Sequence, residues 1–133
     1  MSLIAASINV DGTVATTGGT ATTFLSLGDS LSQHILLLDN SAAFIDQTTF
    51  EFSTKSPKVS ASAPAGYTQK RATCLIRVPL ALDNGKYTVN TWRIEQACDP
   101  ETTDAEIDSG RVLCAQAIHD SDFQDFWRRL SVT

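Results

Sequence analysis

The first 54 residues of the chain contain no lysine or arginine, although they carry five acidic residues. Seven bases follow within residues 55–93, where Asp83 is the one acid, and residues 94–133 carry nine acids against three arginines. These three blocks have net charges of −5, +6 and −6, within a total of −5. A polyanion responds to the local field rather than to the total charge. The basic middle block is therefore a candidate surface for a polyanion.

The sequence also lacks long hydrophobic runs and the cysteine spacing of metal or disulfide sites. Apolar runs such as Ile35–Leu38 are far shorter than the roughly 20 residues that a membrane helix needs. The first ten residues have no basic region, so we expect no secretion signal, no membrane partner and folding inside a cell. The three cysteines are odd in number, and the two histidines have no ligand-spaced partner. We therefore expect buried free thiols and no metal site.

Recognisable catalytic motifs are missing as well. There is no GxSxG, phosphate loop, GxGxxG or HExxH. His119 and Asp120 could form an acid–base pair, but they lie at a predicted helix end, where the dipole favours His and Asp starts a turn. The acids Asp120, Asp122 and Asp125 fit a solvated helix start better than a cation site. The sequence thus predicts no enzyme, no cofactor and no small-molecule substrate.

The order of elements predicts one α+β domain over residues 1–133, with helices gathered on one face of an antiparallel sheet. Asp11-Gly12 predicts an N-terminal hairpin over residues 1–17, and the sheet is expected over residues 22–97. Segment 30–38 fits either strand or helix, and residues 55–69 are typical of an exposed connection. The remaining strands are expected at 22–27, 47–54, Lys70–Val78 (ended by Pro79) and Tyr87–Gln96.

Two helices are expected over residues 101–130. Thr103 and Glu106 fit a capping box, and Ser121 fits the N-cap of the second helix. Gly110 inside the first helix costs about 1 kcal/mol relative to alanine, so we expect a close packing contact there.

Helices of roughly 16 and 10 residues are too short to cover a wide sheet. A dimer that shares one continuous sheet and exchanges helices would cover it. The core and dimer interface are then expected to contain Phe50, Phe52, Ile76, Trp92, Ile94, Ile107, Cys114, Ile118, Phe123, Phe126 and Trp127.

Two stretches of the chain resemble the coat proteins of small single-stranded RNA bacteriophages, the levivirus group. GYTQKRATCLIRVPLALDNGKYTVNTWRIE is similar to the central strand–loop–strand unit of that family, and ETTDAEIDSGRVLCAQAIHDSDFQDFW to its helical tail. Together they cover residues 66–127, and the order of elements extends the resemblance to nearly the whole chain.

The resemblance implies an interlocked homodimer with a ten-stranded sheet, whose helices clasp the partner's sheet on the outside of a shell. Dimers would assemble into a quasi-equivalent icosahedral capsid, located in the virion and assembled in the bacterial host cytoplasm. The inner sheet face would bind single-stranded phage RNA, and in several relatives one RNA hairpin that represses translation.

Carried onto matching strands, the resemblance implies an RNA-binding face made of Thr49, Ser53, Lys55, Arg71, Thr73, Arg77, Thr91 and Arg93. Strand alternation adds Glu51 and Leu75 to that face. The intersubunit loop would contain Leu80, Leu82, Asp83, Asn84 and Gly85. This loop is short and has no cysteine, so disulfide-linked rings of subunits are not expected.

A non-viral RNA-binding domain with a sheet platform is the alternative, although exposed aromatic residues for base stacking are few, with Tyr67 and Tyr87 the evident ones. A small enzyme on an α+β scaffold is a third possibility, without a supporting constellation.

Overall fold

The computed structural model describes residues 5–8, 24–38 and 43–132. It divides into two compact units, one formed by Thr20–Glu101 and the other by the terminal segments Met1–Gly19 and Thr102–Thr133. Among the described residues, no helix combines the length and the apolar character that crossing a membrane requires.

The first unit is a five-stranded antiparallel sheet. Its strands are β1 (Leu25–Asp29), β2 (Gln33–Leu37), β3 (Thr49–Lys55), β4 (Lys70–Ala81) and β5 (Tyr87–Cys98), and they lie side by side in sequence order. The alternation of aromatic and polar side chains in β3 produces two chemically different faces. The ambiguous segment 30–38 contains a strand, and the predicted meander is confirmed.

The prediction that Pro79 ends its strand is wrong. β4 continues to Ala81, with Pro79 opposite Val89 of β5. The Leu82 amide donates to the Lys86 carbonyl at 2.8 Å, so the ladder bonds to β5 involve alternate residues and skip Pro79. β3 pairs with β4 only as far as Arg77, so no donor is required on the other side either. Proline is tolerated at such an edge position.

The connection between β3 and β4 has a structure of its own. Val59 and Tyr67 form an isolated antiparallel bridge. The Thr68 amide donates to the Lys58 carbonyl at 2.7 Å, and the Ser60 amide donates to the Gly66 carbonyl at 2.9 Å. The predicted exposed connection is thus a small hydrogen-bonded hairpin.

The second unit contains α1 (Asp104–His119), a 3-10 turn (Ser121–Phe123) and α2 (Gln124–Arg129). The predicted capping box is confirmed, because the Glu106 amide donates to Thr103 Oγ1 at 3.3 Å and the Thr103 amide donates to Glu106 Oε2 at 2.9 Å. Within this unit, Trp127 Nε1 donates to the Ala117 carbonyl at 2.8 Å, which ties α2 to α1.

Two details of the helical prediction are wrong. Asp120, not Ser121, caps the turn that precedes α2, because its Oδ1 accepts from the Asp122 amide at 2.9 Å. A short aspartate side chain readily reaches the amide two residues ahead. A Cβ built on Gly110 would meet nothing within 4 Å, so the expected close packing contact is missing from the described chain.

The predicted N-terminal hairpin lies mostly outside the described residues. Its described part, residues 5–8, does not belong to a strand. There the Ser7 amide and hydroxyl both donate to Asp122 Oδ2, at 3.1 and 3.3 Å.

Leu37, at 7% exposure, is the one buried apolar side chain among the described residues. Most other large apolar side chains stay partly exposed, including Trp92 and Trp127 at 47% and 48%. An isolated chain of this kind leaves much of its apolar surface in water, which costs about 25 cal/mol for each Å² not removed from solvent.

Candidate nucleic-acid interface

The strand register brings the eight predicted RNA-binding residues to one face of the sheet. In an antiparallel pair, residues directly opposite each other point to the same side. Thr49 lies opposite Arg77, which lies opposite Thr91. The other residues of this face also lie opposite one another in neighbouring strands, as the pairs Ser53–Thr73, Lys55–Arg71 and Leu75–Arg93. We call this surface the cationic face.

Three arginines of the cationic face are bound to carboxylates on the same face. Arg77 Nη1 donates to Glu51 Oε2 at 2.9 Å, and Arg71 Nη1 donates to Glu95 Oε1 at 3.1 Å. Arg93 Nη2 reaches Glu95 Oε2 at 3.5 Å. The first two pairs join diagonal positions of neighbouring strands, a separation that long side chains can span.

Both carboxylates are held at each oxygen. Gln33 Nε2 of β2 donates to Glu51 Oε1, so Glu51 links three strands. Glu95 receives one arginine from β4 and one from its own strand. Alternation in β5 already indicated that Glu95 shares a face with Arg93, but its pairing with Arg71 was not evident from the sequence. With four bases and two acids, the face carries a net charge of +2.

A cavity of about 290 Å³ opens at the end of the sheet where β3 ends and β4 begins. Its lining residues are Thr54, Lys55, Ser56, Pro57, Lys70, Arg71, Ala72 and Gln96. Lys55 and Arg71 belong to the cationic face, whereas Thr54, Ala72 and Gln96 lie opposite one another on the other face of the sheet. On the cationic face, Arg71 is paired with Glu95, so Lys55 is the base at this end whose charge no described carboxylate compensates.

Tyr87 also lies on the cationic face, opposite Ala81 and in register with Thr91 and Arg93 along β5. Its side chain is exposed. The sequence had identified Tyr87 as one of two evident aromatic residues without assigning it to this face. An exposed aromatic ring can stack on an unpaired base.

The opposite face of the sheet is apolar. Leu36, Phe50, Ile76 and Trp92 form one row across the strands, and His34, Phe52, Cys74 and Ile94 form the next. The Phe24 ring packs against Phe50 with centroids 5.0 Å apart. Phe52 and Ile94 are nevertheless 41% and 42% exposed. This face contains the strand residues predicted for the dimer interface, and its partner stays a prediction.

The cysteines correct one expectation. All three are free, as expected, but Cys114 in α1 is exposed, whereas Cys74 and Cys98 are half-buried. Burial on the apolar face raises the pKa of the Cys74 thiol, because a thiolate is poorly solvated there. Cys114 was predicted to lie in a dimer interface, and its exposure in the isolated chain means that any burial requires another copy.

The remaining predicted interface residues occupy the helical unit and the β4–β5 turn. Ile118 and Trp127 are exposed, while Ile107, Phe123 and Phe126 are half-buried. In the turn, Leu80 and Leu82 are exposed, and Gly85 adopts a φ of +79°. Asn84 Oδ1 accepts from the Lys86 amide at 3.0 Å, which leaves Asp83 at the exposed tip.

Comparison with known proteins establishes the fold. No protein-family model matches the sequence, and no curated protein matches it. Among solved structures, the virus-like particle of bacteriophage GQ-907 matches with a TM-score of 0.85 and 24% identity, covering 99% of this chain and 100% of that one. The particle of bacteriophage AVE019 matches at 0.68 and 9% identity, covering 86% and 90% of the two chains. The particle of bacteriophage ESE058 matches at 0.65 and 13%, covering 84% and 87%. The chain therefore has the fold of bacteriophage particle proteins, and the predicted coat-protein fold is confirmed.

Proposed function

We propose that this chain is the structural subunit of an RNA bacteriophage capsid. The carrying observation is the fold, which matches a protein of a bacteriophage virus-like particle along nearly its entire length. Because particles are built from many copies, such a subunit must keep surfaces for other copies. The half-exposed apolar residues of both units supply that kind of surface.

The proposed building block is a homodimer with a shared sheet. Among the described residues, β5 has a neighbouring strand on one side only. A twelve-residue edge strand is an aggregation hazard unless it is covered or paired. Pairing with β5 of a second copy would continue the sheet across the dimer, and helices of that copy would cover the row Phe50, Ile76 and Trp92.

The cationic face is the proposed RNA site. Arginine binds phosphate through paired hydrogen bonds, and threonine and serine hydroxyls bind phosphate or base edges. The face collects both residue types in register, with an uncompensated cationic end at Lys55. In a shell it would point inward, towards single-stranded phage RNA.

A non-viral RNA-binding domain with a sheet platform remains the second candidate. The exposed Tyr87, on the same face as Thr91 and Arg93, favours it, since such platforms stack bases on aromatic rings. Particle formation separates the two functions, because the second candidate would bind RNA as a small oligomer.

The test is size-exclusion chromatography with negative-stain microscopy of the recombinant protein. We expect round particles tens of nanometres across whose absorbance ratio at 260 and 280 nm shows nucleic acid. A protein that never forms particles, with its own genomic RNA or without, would contradict the capsid function.

A variant pair tests the RNA site within the same experiment. Arg71→Gln combined with Arg77→Gln should lower the RNA content of the particles, because two phosphate-binding groups are lost. Arg111→Gln removes an arginine that is paired with Asp108 within α1 and does not belong to the cationic face, so it should leave RNA content unchanged. Equal RNA content in all three proteins would reject the cationic face as the RNA site.

A further inference from the structure

Two acids lie on the cationic face, where an RNA-binding surface is expected to have no carboxylates. Glu51 and Glu95 together contact all three arginines of the face at 2.9 to 3.5 Å. An arginine bound to a carboxylate offers fewer free donors to a phosphate. RNA can use these arginines fully only by displacing a carboxylate oxygen.

We propose that Glu51 and Glu95 compete with RNA phosphate for the arginines of the cationic face. This competition keeps the affinity for RNA weak, so that bound RNA can exchange. This inference rests on the proposed RNA-binding function of the same face. The two acids hold the arginines in position when no RNA is bound, and they reduce the positive charge that any RNA meets from +4 to +2.

The geometry supports competition rather than a purely structural role. Glu51 is 22% exposed and Glu95 is 34% exposed, while their arginine partners are 46 to 64% exposed. The guanidinium groups are therefore open to a ligand from solvent while their carboxylates lie closer to the sheet. Exposed pairs of this kind contribute at most about 1 kcal/mol each, so a phosphate can displace them.

The two ends of the face should consequently behave differently. Lys55 has no ion pair among the described residues and lies opposite Arg71 at the end of the face. A phosphate would bind there first, without displacing an acid. The adjacent phosphates of the RNA would then reach the paired arginines, where binding requires displacement of Glu51 or Glu95.

The experiment measures the affinity of a fluorescently labelled, unstructured single-stranded RNA by anisotropy, between about 50 and 200 mM KCl. The proteins are the full-length wild type, Glu51→Gln, Glu95→Gln and the double variant. Glutamine preserves the shape of the side chain and removes its charge. Circular dichroism and thermal unfolding confirm that each variant is folded.

The control carries the same charge change elsewhere. Asp108→Asn breaks an exposed arginine pair on α1, and Glu101→Gln removes a second acid outside the sheet strands. This double control alters net charge by the same amount as the test variant, without touching the cationic face.

We expect the Glu51/Glu95 double variant to bind about tenfold more tightly at low salt, because it frees three arginines from exposed pairs that are each weak. The slope of log affinity against log salt should steepen by about 1.4 for this variant. Removing two acids allows about two added phosphate contacts, and each contributes about 0.7 on a single strand. The control should match the wild type in slope.

Three results would overturn the inference. An equal gain in the control would make net charge the cause, and weaker binding by the test variant would show that the acids orient the arginines for RNA. Unchanged binding in the test variant, with a wild type that does bind, would remove the competition while leaving the RNA site intact. If no protein bound RNA at any salt concentration, the proposed function itself would fail.

Discussion

Cys74 shows how a single residue reports on the apolar face. It lies between Phe52 and Ile94 in adjacent strands, and burial there raises the pKa of its thiol. An unfolded chain would release this proton at the ordinary thiol pKa, about 8.5. The folded chain holds the proton to higher pH, so the unfolded state binds fewer protons in between. The contribution of Cys74 to stability is therefore complete below that pKa and is lost as pH rises above it.

The check is the thermal midpoint of unfolding from neutral to alkaline pH. We expect the wild type to lose stability with rising pH more steeply than Cys74→Ala, because only the wild type has this buried thiol. Cys114→Ala removes an exposed thiol and should keep the wild-type slope. Identical slopes for Cys74→Ala and the wild type would show that the Cys74 thiol is solvated.

Prediction of single residues succeeded where polar and apolar side chains alternate along a strand. Within β3, β4 and β5 the two-residue repeat separated polar from apolar sides, and the resemblance to coat proteins then implied that Thr49, Arg77 and Thr91 share one face. It could not give the ion pairs, because the diagonal between Glu95 and Arg71 depends on the register between β4 and β5, which alternation within one strand does not define. Predicted positive charge was therefore higher than the surface presents.

Glycine distinguishes two kinds of element in this fold. Gly85 adopts a φ of +79° in the β4–β5 turn, whereas Gly110 lies within α1 with open space where a Cβ would be. We expect Gly85→Ala to destabilise the protein by about 1 to 2 kcal/mol, since an L side chain resists that φ. Gly110→Ala should stabilise it by up to about 1 kcal/mol through helix propensity.

Chemical unfolding of the two variants beside the wild type measures both effects. The opposite signs make each variant the control of the other, because both introduce the same methyl group. A destabilising Gly110→Ala would indicate that another copy approaches α1 closely at that position.

Element boundaries were harder to predict than element types. The capping box gave the start of α1 correctly, because both hydrogen bonds are local in sequence. The prediction at Pro79 was wrong because a proline normally ends a strand. β3 pairs with β4 only as far as Arg77, so no hydrogen-bond donor is needed at position 79 on that side. Asp120 and Ser121 can both accept a hydrogen bond as an N-cap, and the backbone conformation decides which one does. Asp120 has the extended conformation of an N-cap, and its side chain accepts from the Asp122 amide.

At the scale of the whole molecule, the proposed capsid function requires contact with other copies, and the β4–β5 turn tests that most directly. Leu80 and Leu82 expose apolar side chains at the base of this turn. We expect Leu80→Asp combined with Leu82→Asp to reduce particle yield severely while dimers still form, because charges at an apolar contact between dimers remain desolvated and unpaired.

Chromatography of the variant beside particles of the wild type gives the yield. Val59→Asp is the matched control, since Val59 is an exposed apolar residue of the β3–β4 connection. Normal assembly of the Leu80/Leu82 variant would remove this turn from the intersubunit contacts.

The meander order of the sheet has a consequence for synthesis of the protein. Each described strand pairs with the strand just before it, so a growing chain meets every partner among residues that the ribosome has already released. Such local pairing favours rapid folding, strand by strand, in the order of translation. β5 emerges last of the five, and one of its edges is not covered by any described strand. Neighbouring ribosomes on one message hold several such edges close together, so the proposed pairing of β5 between two chains can begin before either chain is released.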